Sequence, residues 1–438
     1  MATPQTAAGQ SKAVAHPKRI SAGIITGHGF QHMYADGFLV LLPAIYDTFG
    51  LTPITASFLA AIRQGAGGLL TMGGGFIVDM FSGHRGLLLT GSLFAMGFGY
   101  ALAAASPNYT VLLITLGLAS AAGSFWHPVG LGILSQTYPH RRGLMMSLHR
   151  SAGNLGEVVT PLVVAGLMLI MTWRSVLVAG FVLIAAVAFV LYFFLASVGI
   201  QYVTNAVKRE PRGFGEQLGA VGHLLRGRAL PTLLLMSGLR GMADRSVVFF
   251  LPLFVAQRLR ETDPAVSDAS IVWWSGVYFV AMSIAAMVVP PFLGHLSDRV
   301  GRRPVMVGAL MGSVVVLALL SIYNEDVGTY FSVFLLLITL LGAARFAVTN
   351  LTQAASLDLA EGMRLEGSMI GLLWGNNAAF GALAPMIVGV LVVLTSSGTD
   401  DFEVMFPYAV AMNLLALPVA MLLPTIRGPQ KPEVATTT

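Results

Sequence analysis

Apolar and polar stretches alternate along this chain on a long scale. Apolar runs lie at about 20–45, 54–79, 86–106, 109–137, 143–170 and 173–198, then at about 230–256, 270–293, 304–323, 328–358, 367–395 and 403–426. Each is close to the roughly 20 residues that take an α-helix across a bilayer. They are continuous, not alternating at every second residue, which predicts helices and excludes barrel strands. One long polar stretch, 199–229, contains VKREPRGFGEQ and RGR and falls between the sixth and seventh runs. The pattern predicts a polar tail over 1–19, a six-helix bundle over 20–198, a linker over 199–229, a second six-helix bundle over 230–426 and a tail over 427–438. The fold class is an all-α polytopic membrane protein with twelve transmembrane helices.

Composition agrees. Hydrophobic residues make up 55% of the 438 and charged ones only 10%, with a mean hydropathy of +0.77. Soluble domains carry about 25% charged residues, so a soluble globule is excluded. The absence of cysteine excludes disulfides and thiolate metal sites. The first nineteen residues are polar and end in Lys18-Arg19, with no short apolar core and cleavage site behind them, which predicts an uncleaved first span.

Charge sets the expected orientation. With twelve spans, the loops on the side of the N-terminus hold seventeen Lys and Arg, whereas the opposite loops hold only Arg174, Arg258 and Arg260 and are acidic (Asp47, Glu261, Asp263, Asp400, Asp401). The positive-inside rule then puts both termini in the cytoplasm, here of a bacterial inner membrane. The basic balance reports topology and calls for no nucleic-acid partner.

The two halves repeat. GFIVDMFSGHR (75–85) and GHLSDRVGRR (294–303) occupy the same place in each half, with Gly75/Asp79 answering Gly294/Asp298. GLMMSLHRSAGNLGEVVTP (143–161) aligns with GSMIGLLWGNNAAFGALAP (367–385), and HMYAD (32–36) with RGMAD (240–244). Parallel six-helix repeats about an axis along the membrane normal are the plan of major facilitator transporters. GHLSDRVGRR resembles that superfamily's signature loop through Gly294, Asp298, Arg299, Gly301, Arg302 and Arg303. The resemblance implies a conformational latch at these positions and at Gly75 and Asp79. A finer resemblance rests on His28, LLPAIYDTFGLT (41–52), FWHPVG (125–130) and SAGNLGEVVTP (151–161), which look like the fosmidomycin resistance group of drug:proton antiporters. It implies proton-driven export.

Charged and titratable residues inside the spans are the candidate site. His28, His32 and Asp36 stand four apart and share a helix face. An ionised group facing hydrocarbon costs about 2.5 kcal/mol or more, so that face is expected to line a cavity or a helix interface. These three, with Glu157 and Asp244, are the expected proton-coupling groups. Arg240 is expected to pair with Asp244 and Arg63 with Asp36; Glu157 is expected to carry a proton or, equally, to lock onto Arg150 or Arg63, Arg245 to point to a neighbour, and His149 and Arg150 to serve the site or to snorkel. Five Arg (63, 150, 240, 245, 345) face three acids, a cationic balance that favours an anionic substrate. Arg63, His127, Arg240, Arg345, Trp126, Asn154, Asn376 and Trp374 are the expected substrate contacts. The intramembrane histidines lack a metal fingerprint beyond 28/32/36, so no metal, cofactor or enzymatic role is expected. The expectation is a monomeric, proton-coupled exporter of a small anionic or amphiphilic compound, with import of an organic anion by symport as the alternative.

Overall fold

A computed structural model describes residues 16–80, 84–138, 141–195, 214–359 and 366–424; side chains of 73–80 and a few others near the gaps lie outside the description. The first half contains α1 (Pro17–Val40), α2 (Leu42–Thr48), α3 (Pro53–Met80), α4 (Arg85–Ala104), α5 (Tyr109–Ser124), α6 (Trp126–Thr137), α7 (Arg142–Met168) and α8 (Trp173–Leu195). The second half contains α9 (Phe214–Arg226), α10 (Ala229–Thr262), α11 (Asp268–Val300), α12 (Arg302–Leu320), α13 (Val333–Leu359), α14 (Glu366–Thr395) and α15 (Met405–Met421). Each of the twelve expected spans is met by a helix or by a helix pair. The first breaks at Leu41 before Pro43, and the fourth breaks at Phe125 before Pro128. Proline near a helix start lacks only an N–H that would have no intrahelical acceptor, so it fits a restart. Part of the expected linker is itself helical, as α9.

Among the described residues, nine spans are apolar enough by composition alone to cross a membrane. The three long helices that fall short are α1, α3 and α10. These carry His28, His32 and Asp36; Arg63; and Arg240, Asp244 and Arg245. These polar and charged residues depress the hydropathy of the three helices. The outward surface is the reverse: Phe189, Val182, Leu118 and Phe292 are all more than half exposed, as a lipid-facing side chain is.

Within the first half α1 packs on α7, and α4 on α5 and α8; within the second α10 packs on α14 and α15, and α11 on α13. The halves meet along α3 against α14 and α7 against α11. Small residues permit both contacts. A Cβ on Gly276 would sit 2.8 Å from Pro161, and one on Gly389 would sit 2.7 Å from the Pro53 carbonyl. At the end of the molecule that carries the acidic loops, the halves are also tied by polar contacts. Tyr46 donates to Asp400 at 2.6 Å, and Arg260 donates to Asp47.

Candidate functional site

The α1–α7 contact positions the first cluster. A Cβ on Gly156 would overlap the Gly29 carbonyl and lie 3.0 Å from the Met33 nitrogen, so the two backbones touch there. Thr160 Oγ1 donates to the Met33 carbonyl at 2.7 Å and fixes the register. That register sets Glu157 opposite His32. His32 Nδ1 lies 2.9 Å from Asp36 Oδ2 and 3.2 Å from Glu157 Oε1. Arg150 reaches Glu157 at 3.7 Å and lies over the Phe346 ring of the other half. Arg150 therefore points inward, not to the membrane surface.

Behind His32 lies a nest of imidazoles. His28 is fully buried, with its ring 4.6 Å from His32, 5.0 Å from His127 and stacked 3.7 Å from His149. His127 also meets the Trp374 ring of the second half edge-on at 5.1 Å. Neither nitrogen of His28 has a hydrogen-bond partner, nor has His149 Nε2, so the hydrogen-bonded ladder ends at His32. Asn154 is buried with its side-chain oxygen unpartnered.

The second cluster is in the other half. Arg240 and Asp244 form an ion pair, as expected from their spacing, and Arg345 Nε lies 3.3 Å from the same carboxylate. Arg240 also donates to the Arg345 carbonyl at 3.3 Å, joining α10 to α13. Arg245 is half-buried, its stem against Gly381. Arg150 of the first half and Arg345 of the second both lie over the Phe346 ring, at 5.3 and 4.7 Å from its centroid. The two clusters thus face one another between the halves.

Several expectations are corrected. Arg63 does not pair with Asp36: its guanidinium donates to the Ala35 carbonyl at 2.9 Å and to Tyr100 Oη, and lies over Phe38. The α1 carbonyl is the nearer acceptor, because Asp36 turns along its own helix toward His32. Trp126 is wholly buried, filling the space left by Gly27 beside Leu191, so it packs α6 to α1 and is no chamber wall. Asn376 spends its amide on the Leu234 carbonyl at 3.0 Å, a helix-packing bond. Asp298 makes its contact inside its own half. Arg302 donates to Asp298 and Ser297 and, through Nε, to Asp358 at 3.0 Å, while Arg303 donates to the Leu423 carbonyl. Gly301 turns this loop at φ +97°, a conformation that glycine adopts without a Cβ clash. Arg299 and Gly294 carry no such tie: Arg299 is exposed and nothing crowds Gly294. Gly75 lies within α3, and the Asp79 side chain lies outside the described residues.

The fold has counterparts among known proteins. Residues 24–282 and 261–438 match the Major Facilitator Superfamily profile. The chain belongs to that superfamily. It is 27% identical over 153 residues to the multidrug resistance protein MdtG of Rahnella sp. (strain Y9602), a match covering 35% of this chain and 34% of that protein. The likeness thus spans about a third of that relative's length. It is 21% identical over 419 residues to the uncharacterized MFS-type transporter YfnC of Bacillus subtilis (strain 168), covering 93% and 95% of the two chains. Among solved structures, the nucleoside transporter NupG superposes with a TM-score of 0.73 at 15% identity, covering 92% of this chain and 98% of that one. A bacterial homologue of the human lysosomal transporter Spinster, inward-facing and occupied, gives 0.73 at 12% identity, covering 93% and 96%. Family membership and these folds establish a multi-pass membrane transporter with two six-helix halves.

Proposed function

We propose that the protein is a proton-coupled exporter of small anionic or amphiphilic compounds, working by alternating access in a bacterial inner membrane with both termini cytoplasmic. The observation that carries this reading is the approach of two polar clusters: His32, Asp36, Glu157 and Arg150 on one half, and Arg240, Asp244 and Arg345 on the other, with Arg150 and Arg345 over the same Phe346 ring and Arg245 next to Asp244 in sequence. Guanidinium forks hold carboxylate or phosphonate groups by paired hydrogen bonds, and the balance leaves cationic charge uncompensated. Arg245 is the anchor we assign to the anion, since its guanidinium, unlike those of Arg240 and Arg345, is not committed to Asp244 in an ion pair. The carboxylates of the first half are the groups assigned to carry protons. Protonation removes the negative charge that competes with the substrate for Arg245 and Arg345.

Export is favoured over import by the likeness to MdtG, a multidrug resistance protein. The resemblance of 28–52 and 125–161 to the fosmidomycin resistance group agrees in direction, and phosphonates fit the same guanidinium chemistry. The test is flux in proteoliposomes with an imposed pH gradient and candidate phosphonates and carboxylates. Anion movement against the proton flow supports antiport, whereas movement with it establishes symport and overturns the export reading. Asp36→Asn is expected to abolish driven flux while leaving downhill exchange, and Arg245→Gln to weaken anion binding. Normal driven flux in Asp36→Asn removes that residue's assigned role.

A further inference from the structure

We infer that the imidazole nest of the first half is a resident binding site for one divalent transition-metal ion of the zinc class, ligated by His28, His32 and His127. The three rings each present a nitrogen, and these donor atoms lie within 4.8 Å of one another. Four-coordinate zinc with nitrogen bonds of about 2.0–2.1 Å needs donors roughly 3.3 Å apart, so each ring has to close by only about an ångström.

Three further features point to an ion and not to a packed core. His32 has the arrangement found behind metal-bound histidines: Nδ1 engages the Asp36 and Glu157 carboxylates, and its Nε2 is buried and unpartnered. A carboxylate on one ring nitrogen fixes the proton there and leaves the other lone pair free and more basic toward a metal. His28 is fully buried with both nitrogens unpartnered, and a buried polar atom without a partner costs free energy that a bound cation would recover. Gly153 keeps the nest open, because a Cβ there would stand 2.8 Å from His28 Nε2 and 3.0 Å from the His32 ring. His149, stacked on His28, holds that ring in place. Three protein donors leave one coordination position for water.

Charge permits the ion. With neutral imidazoles, Asp36 and Glu157 outweigh Arg150 by one negative charge beside the nest. All three donors come from α1 and α6 of a single half, so relative movement of the halves leaves the site intact, as suits a resident ion and not cargo. The ion would clamp α6, which restarts after the break at Phe125, onto α1.

The test uses the full-length protein without a polyhistidine tag, stripped with a chelator and titrated with Co2+ and then Zn2+ in lipid nanodiscs. One equivalent of Co2+ is expected to give the intense visible bands of a four-coordinate ion, and Zn2+ is expected to displace it and raise the unfolding temperature. His127→Ala and Gly153→Ala are each expected to weaken Co2+ binding at least about 10-fold and to abolish the zinc-induced thermal shift. His295→Ala, an exposed histidine outside the nest, serves as the control and is expected to bind as the parent does. Absence of Co2+ bands in the parent protein overturns the inference outright, even if a variant fails to fold. Parent-like affinity in His127→Ala and Gly153→Ala overturns it equally, by placing the metal elsewhere. Neither result bears on anion flux, which is measured separately.

Discussion

The polar ties between the halves at the acidic-loop end lend themselves to a quantitative perturbation. Tyr46 donates to Asp400 at 2.6 Å, and Arg260 pairs with Asp47 with the two side chains 38% and 43% exposed. An ion pair that wet contributes about 0.5 kcal/mol. A half-buried hydroxyl bound to a carboxylate contributes about 1.5 kcal/mol, the low end for hydrogen bonds to charged groups. Tyr46→Phe with Asp47→Asn removes both ties and almost no volume. The state closed at this end should lose about 2 kcal/mol against the open one, a shift of about 30-fold in their ratio. Because the chain contains no cysteine, two introduced thiols carry spin labels at unique places. One label belongs on the turn at 105–108 and the other on the turn at 396–400. Pulsed electron resonance in nanodiscs then reads the two populations. A change below about threefold in the double variant, or a shift toward closure, would refute the claim that these ties hold the halves together. Salt supplies a check, since only the Arg260–Asp47 share should fade at high ionic strength.

Further consequences concern packing and buried charge. Gly156→Ala places a methyl on the Gly29 carbonyl, so α1 and α7 must separate at a cost of about 1–3 kcal/mol; a fall of the unfolding temperature by several degrees is expected, and an unchanged melt would contradict the close approach. Asp244→Asn leaves Arg240 and Arg345 without their shared countercharge. Breaking a buried pair costs about 3–5 kcal/mol, read as a lower melting temperature that Arg240→Met partly restores. Gly301→Ala forces a Cβ into the left-handed region at a cost of about 1 kcal/mol. Crosslinking between α12 and α13 should report loosening of the Arg302–Asp358 tie.

The solvent this chain must satisfy explains what its sequence determined alone. Every backbone polar group must be satisfied within lipid, and long continuous apolar runs do so as helices, so the number of spans follows from hydropathy and the expected orientation from loop charge. Spacing along one helix sufficed for His32 with Asp36 and Arg240 with Asp244, because four residues make about one turn. Contacts between helices were another matter. His32 meets Glu157, and His28 meets His149, because Gly153 and Gly156 let α7 press against α1, and His127 joins them from α6, which restarts after Phe125. Arg63 lay at the right depth for Asp36, yet its acceptor was decided by the local tilt of α1 and the presence of Tyr100. Trp126 and Asn376 read as cavity residues until their neighbours proved to be Gly27 and the Leu234 carbonyl. A one-dimensional pattern records which groups hydrocarbon would reject. Which of them meet is fixed by helix rotation and close approach, and these depend on residues far apart in the chain.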